Sequence, residues 1–206
     1  MTLFQNHHII TLTHHHINTS ANQHITMRIK RENCIGLVID IQEKLFPVMA
    51  ENETLLANCK KLVEGLQILG IPIGITQQYT KGLGTTISKI SSLFIPFSFI
   101  EKKSFSCPDE PLFAHYLAES GKNNVLICGI ESHVCVLQTA LDLKENGYEP
   151  IVIVDCISSR HLFEKQIAVQ RFNLEGIRIS TVESILFELT RTADTPEFKS
   201  ISKLVK

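Results

Sequence analysis

Gly129-Ile130-Glu131-Ser132-His133-Val134-Cys135-Val136 stands between an apolar run and an amphipathic one. The run before it, Val125-Leu126-Ile127-Cys128, reads as a buried strand. The segment after it, 136–146, places Val136, Leu137, Ala140, Leu141 and Leu143 at helical spacing, and Gly147 stops it. Cys135 therefore falls in the first turn of a helix that leaves the end of a strand. Ser132 is the predicted N-cap, with a side-chain oxygen for a free backbone N–H. The positive end of the helix dipole favours thiolate at such a position, so Cys135 is expected to titrate below an ordinary cysteine. A buried structural cysteine is the plainer alternative, since free cysteines are among the most buried residues.

Working outward, the same strand-then-helix pattern repeats. Cys34-Ile35-Gly36-Leu37-Val38-Ile39-Asp40 is an apolar run ending in an acid, and reads as a first strand buried on both faces. Residues 55–69 have helical periodicity. Strands follow at 71–77 and 97–102, with a loop and an irregular segment at 79–92 between them. A helix is expected over 111–120, strands over 125–129 and 151–155, a helix over 162–174 and a strand over 177–180, with 184–190 beginning the last helices. Strands alternating with helices argue a parallel sheet covered on both faces.

In such a sheet a site lies at the carboxyl ends of the strands. Asp40 ends the first strand, Lys102 ends the third, and Cys135 follows the fourth. Taken alone, Asp40 reads as a cap carboxylate and Lys102 as a solvated surface charge. Their shared placement makes a machine: a carboxylate to take the thiol proton, an ammonium to steady negative charge, and a nucleophile. The backbone N–H groups of Val134 and Cys135 are candidates for an oxyanion hole. Gln42, Phe46, Gln78, Phe105 and His133 lie beside these motifs and are candidate pocket residues. His133 is two residues from Cys135, and helical neighbours at that spacing do not face each other, so it is not read as a general base. Asp155 is a candidate for capping or orienting only.

At these residues a family resemblance emerges. The chain resembles the isochorismatase-like cysteine hydrolases. Val38-Ile39-Asp40-Ile41-Gln42 is similar to the acid-bearing first strand of that family. Glu101-Lys102-Lys103-Ser104-Phe105-Ser106 is similar to its lysine followed by an aromatic and a serine; Phe105 sets the register and selects Lys102 over Lys103. Gly129 to Val136 is similar to its Gly-x-x-Thr-x-x-Cys-Val, with Ser132 in place of threonine. Gln77-Gln78-Tyr79, Ser158-Ser159-Arg160 and Pro196-Glu197-Phe198-Lys199 look most like the isochorismatase domain-containing proteins. The resemblance covers about 27–206. It implies a Rossmann-like three-layer α/β/α sandwich with a six-stranded parallel sheet and a Cys135–Asp40–Lys102 triad. It also implies hydrolysis of a small amide or related acyl substrate through a thioester, and a cis peptide between Ile130 and Glu131. It implies no cofactor.

Nicotinamidases of this family carry an Asp-x-His pair after the second strand, with a further histidine, and hold a metal there. This chain has Gln77, Gln78 and Tyr79 instead, and no histidine between His24 and His115. A neutral amide is a poor replacement for those ligands, so no metal is expected. Vinyl-ether hydrolysis of the isochorismatase type, which needs no cysteine nucleophile, and a non-catalytic binding or scaffold role on the same fold are the alternatives.

Composition sets the outer bounds. The 206 residues contain 44% hydrophobic residues, and a formal net charge of -1. Nothing in that balance suggests a nucleic-acid groove, which would need a clustered basic face, and no apolar run approaches the length of a membrane span. A small-molecule substrate is expected as partner, with no nucleic acid and no membrane, and a homo-oligomer is expected. The six cysteines are dispersed, without a Cys-x-x-Cys pair, which suits reduced thiols in a cytoplasmic protein. Residues 1–26 hold six of the nine histidines and no Lys, Arg, Asp or Glu. They read as a disordered His-rich extension, with the domain over 27–206. Removing 1–26 is expected to leave the melting temperature unchanged, and hydrolysis by the shortened chain to survive a chelator. A large loss of melting temperature would show the extension to be structural, and a stoichiometric metal in the shortened chain would refute the metal-free reading.

Overall fold

The computed structural model describes residues 28–206. The expectation for 1–26 lies outside the described residues. Six strands form one parallel sheet: β1 Cys34–Ile39, β2 Ile73–Gln78, β3 Ile100–Lys102, β4 Asn124–Ile130, β5 Glu149–Ser158 and β6 Arg178–Ser180, in the order β3-β2-β1-β4-β5-β6. The helices are α1 Asn52–Ile68, α2 Thr80–Leu83, α3 Ser88–Ser91, α4 Pro111–Ser120, α5 Leu137–Glu145, α6 Leu162–Leu174, α7 Val182–Thr190 and α8 Phe198–Val205. A π-helical turn, Ser132–Val136, precedes α5.

The three layers follow from side-chain alternation along β1, the central strand, where all six residues are buried. Cys34 and Val38 face a core with Leu55, Leu62 and Leu66 of α1, Leu186 of α7 and Ile201 of α8. Ile35, Leu37 and Ile39 face a second core with Phe113 of α4, Ala140 of α5 and Phe172 of α6. A strand covered on both faces must be apolar at every position, which is why β1 reads as a run and not as an alternation.

Most expected elements are present, α4 and α6 with the expected bounds. β5 is longer than the expected 151–155. It continues past a register shift, with Val152 opposite Ile127 but Ile157 opposite Gly129. Asp155 lies in that shift, and its acid made the strand read as finished. Its Oδ1 accepts the Val182 N–H at 2.9 Å and so caps α7, an orienting role. α7 begins at Val182 and not at 184, because Thr181 is its cap and accepts from Ser184 N. Ser132 is not an N-cap. It lies inside the π-helical turn, which Glu131 caps with its backbone alone, and the Ser132 hydroxyl is buried with no partner among the described residues.

Gly129 decides how closely β4 approaches β1. It adopts φ +130°, and a Cβ there would stand 2.1 Å from the Ile39 carbonyl oxygen. Gly147, by contrast, closes α5 at φ +83° with nothing within 4 Å of its Cβ position. Gly147→Ala is expected to cost about 1–2 kcal/mol, the price of a left-handed conformation alone. Gly129→Ala should cost more than about 4 kcal/mol or prevent folding, because backbone must move. Equal melting temperatures for the two variants would contradict this account of the β1–β4 contact.

Candidate functional site

β1 ends at Ile39, and Asp40 follows in the left-handed region at φ +52°. Aspartate tolerates that conformation better than most residues, and such positions cluster at functional sites. β3 is only three residues long and ends on Lys102. The carboxyl ends of β1 and β3, with β2 between them, thus bring an acid and a base to one edge. Lys102 Nζ lies 2.7 Å from Asp40 Oδ2, and neither side chain is exposed. An uncompensated buried charge is expensive, and breaking such a pair by removing one partner costs about 3–5 kcal/mol.

Each partner has further support. Thr76 Oγ1 of β2 donates to Asp40 Oδ1 at 2.9 Å. Lys102 Nζ donates to Gln78 Oε1 at 2.6 Å, to the Phe105 carbonyl at 3.1 Å and to the Ser104 carbonyl at 3.2 Å. Asp40 Oδ2 faces the Lys102 ammonium, and the same carboxylate is within reach of the Cys135 thiol proton.

Cys135 stands beside this pair, with 7% of its surface exposed. Its thiol is pushed up to about 12, by burial first and by the Asp40 carboxylate second, while the Lys102 ammonium pulls it down. This corrects the expectation of a lowered value. A helix terminus alone favours thiolate, but the site is dry and already holds a carboxylate. Burial also raises Asp40, opposed by Lys102. Lys102 is pulled down by burial, yet Asp40 and then Cys135 outweigh that and hold it above its usual value. The resting arrangement is an ion pair with a neutral thiol against it.

The expected cis peptide between Ile130 and Glu131 is present. Val134 N–H, one of the two expected oxyanion donors, is given to the Glu131 carbonyl at 3.1 Å. The pocket candidates separate. Phe46 packs into the α1-side core. Gln42 is fully buried, and its amide clamps the backbone of Gln78, donating to Gln78 O at 3.0 Å and accepting Gln78 N at 2.7 Å. Gln78 holds Lys102. Phe105 meets Lys102 through its carbonyl, and the residue is 53% exposed. His133 Nδ1 pairs with Ser159 Oγ at 2.9 Å, which ties the cysteine turn to the end of β5. Arg160 ties it again, through Glu131 at 3.2 Å.

Cys107, expected to be a loop cysteine competing for exposure, is fully buried. Its N–H donates to Thr139 Oγ1 of α5 at 3.0 Å, and the Glu110 carboxylate accepts the N–H groups of Lys103 and Ser104, so the loop is folded inward. Burial and then Asp40 push its thiol up to about 12. Thr76 and Cys107 are neighbours of Asp40 that sequence reasoning missed. Thr76 was within reach of it, because a parallel partner strand must place a residue beside the end of β1.

Gln77 and Gln78, where a metal-binding relative has its ligands, are spent on internal bonds. Gln77 Nε2 donates to Thr86 Oγ1 at 3.0 Å and its Oε1 accepts from Thr80 Oγ1 at 2.9 Å. These amides do not suit a metal. Among the described residues no helix is long and apolar enough to cross a membrane, and all six cysteines are free.

Comparison with known proteins identifies the family and agrees with the fold. The secreted isochorismatase effector Isc1 of Phytophthora sojae is 35% identical over 183 residues, covering 87% of this chain and 87% of that one. Isochorismatase domain-containing protein 2 of Danio rerio is 32% identical over 179 residues, covering 86% and 89%. Among solved structures, the MAR1 ribonuclease of Caenorhabditis elegans superposes with a TM-score of 0.80 at 32% identity, covering 86% of this chain and 92% of that one. The family model for the isochorismatase domain matches residues 34–184, and the chain belongs to that family.

Proposed function

We propose that the protein is a metal-independent cysteine hydrolase that cleaves a small amide or related acyl compound through a thioester on Cys135. The observation that carries this reading is the buried Asp40–Lys102 ion pair at 2.7 Å with the partly reachable Cys135 thiol beside it. Asp40 takes the thiol proton as sulfur attacks the substrate carbonyl, so that a bare thiolate never has to persist in the dry site. The oxyanion that forms is met by the Cys135 N–H, and by the Val134 N–H if it turns from Glu131. The proton on Asp40 then passes to the leaving amine. Water, deprotonated by the same carboxylate, attacks the thioester and breaks its C–S bond, and Asp40 returns the proton to the departing Cys135 sulfur as the acid is freed. Lys102 favours the ionised form of Asp40 before each proton transfer, so that it can act as the base.

Metal independence is supported by Gln77 and Gln78 being engaged within the chain. A reducing, cytoplasmic setting is supported by six free cysteines. We also propose a homo-oligomer; exposed Ile95, Phe163 and Leu174 are apolar surface that a second copy would cover. The name of the nematode relative supports a second reading, RNA cleavage, in which the carboxylate–ammonium pair would work without Cys135.

A screen of small amides, read by ammonia release, and of RNA, read by fragment length, tests these readings. Cys135→Ala is expected to abolish amide hydrolysis. Asp40→Asn should lower it on the order of 10²–10⁴-fold, the scale of general acid–base catalysis. Because burial raises Asp40, the rate should fall on the acid side at a pH above the ordinary carboxylate range. Brief iodoacetamide treatment should alkylate Cys135 ahead of the fully buried Cys107, read by peptide mass spectrometry. Hydrolysis that survives Cys135→Ala, or alkylation of Cys107 first, would overturn the proposal; RNA cleavage that survives it would install the second reading.

A further inference from the structure

Lys102 Nζ faces four oxygens: Asp40 Oδ2, Gln78 Oε1 and the carbonyls of Ser104 and Phe105. An ammonium has three N–H donors and no acceptor. Four oxygens within reach leave no donor over for a substrate. The two carbonyls belong to the loop after β3, and Asp40 is the proposed base. Gln78 is the remaining contact, and it lies across from Asp40 in function: a neutral acceptor that competes for the ammonium without adding charge.

The orientation of this amide is fixed by its surroundings. Gln78 Nε2 donates to the Lys103 carbonyl at 2.7 Å. Turning the amide over would set its NH₂ against the ammonium and its oxygen against that carbonyl, two clashes of like groups. The backbone is fixed too. Buried Gln42 bonds both the N–H and the carbonyl of Gln78, and its Nε2 also reaches the Gly84 carbonyl at 2.6 Å. Tyr79 N–H donates to the Lys102 carbonyl at 2.9 Å, closing the register between β2 and β3 next to the site.

We propose that Gln78, clamped by Gln42, is a positioning residue that holds the Lys102 ammonium against Asp40, so that Lys102 acts on the reaction through its field and not as a donor to the substrate. This rests on the cysteine-hydrolase reading. Losing the Gln78 acceptor removes the shortest hydrogen bond of Lys102, 2.6 Å, and one of the four oxygens that stabilise its charge; the less stabilised ammonium then gives Asp40 less support for its own ionisation. The titratable groups facing this pair are Cys135 in the turn, Cys107 in the loop and, at longer range, Glu110 at the start of α4. The two thiols are neutral near pH 7, so the acid-side limb reports Asp40.

The test is the pH dependence of Cys135 alkylation by iodoacetamide in the full chain, compared with Gln78→Met and Gln78→Glu. Methionine keeps the length and removes the acceptor. Glutamate keeps an acceptor but adds a charge beside Asp40. Both are expected to move the acid limb upward, by about one pH unit for methionine, a tenfold loss of rate on that limb, and by more for glutamate. A limb that stays in place, with or without a uniform fall in rate, would overturn the proposal, since a merely structural role lowers the rate without moving the limb. If the methionine variant does not fold, the glutamate variant decides by the same readout. A wild-type Cys135 that does not react at any pH would instead sink the cysteine-hydrolase reading itself.

Discussion

A carboxylate and an ammonium 2.7 Å apart, both shut away from water, are what the rest of this structure serves. Neither charge could be buried alone. Thr76 holds one oxygen of the carboxylate, and Gln78 with two backbone carbonyls holds the ammonium. These groups come from the ends of β1, β2 and β3 and the loop beyond, so the parallel sheet is the device that assembles them. Gly129 completes it. Only a residue without a side chain lets β4 lie close enough to β1 for the turn after it to set Cys135 beside Asp40.

The electrostatics of the site run opposite to the simplest expectation for a reactive cysteine. A helix start favours thiolate by a modest amount. Burial and a neighbouring carboxylate outweigh it and push the Cys135 thiol up to about 12. The sulfur is therefore kept as a thiol, next to a base that is itself raised by burial. Burial raises both the Cys135 thiol and the Asp40 carboxyl, and in the proposed reaction the proton moves as the carbonyl is attacked. Cys107, much nearer to Lys102 in the chain than Cys135 is, has a similarly raised thiol but no exposure, and so has no route to a substrate.

Much of this was legible in the chain itself. Strands buried on both faces show as apolar runs, and helices on a sheet show as amphipathic segments. The repeat of the two placed Asp40, Lys102 and Cys135 at one edge before any side chain was located. What could not be read were contacts between elements. The inward fold of the loop around Cys107 depends on Thr139 and Glu110, distant in sequence or silent in pattern. The continuation of β5 past Asp155 depends on a register shift against β4. Gln42 and Gln78 were legible as residues near the site, but their work, one clamping the other and the other holding Lys102, is set by hydrogen-bond directions that no spacing encodes. Ser132 looked like a cap because caps use its chemistry, and the wide turn swallowed it instead.

The account stands on a bond between Cys135 and the acyl group of the substrate. Rapid acid quench of the enzyme during turnover of its best amide, followed by intact mass spectrometry and peptide mapping, looks for that bond directly. The account predicts an adduct of the acyl mass on Cys135, formed together with a first equivalent of ammonia and lost as the acid appears. Steady turnover of the same amide with Cys135 unmodified at every quench time would contradict it.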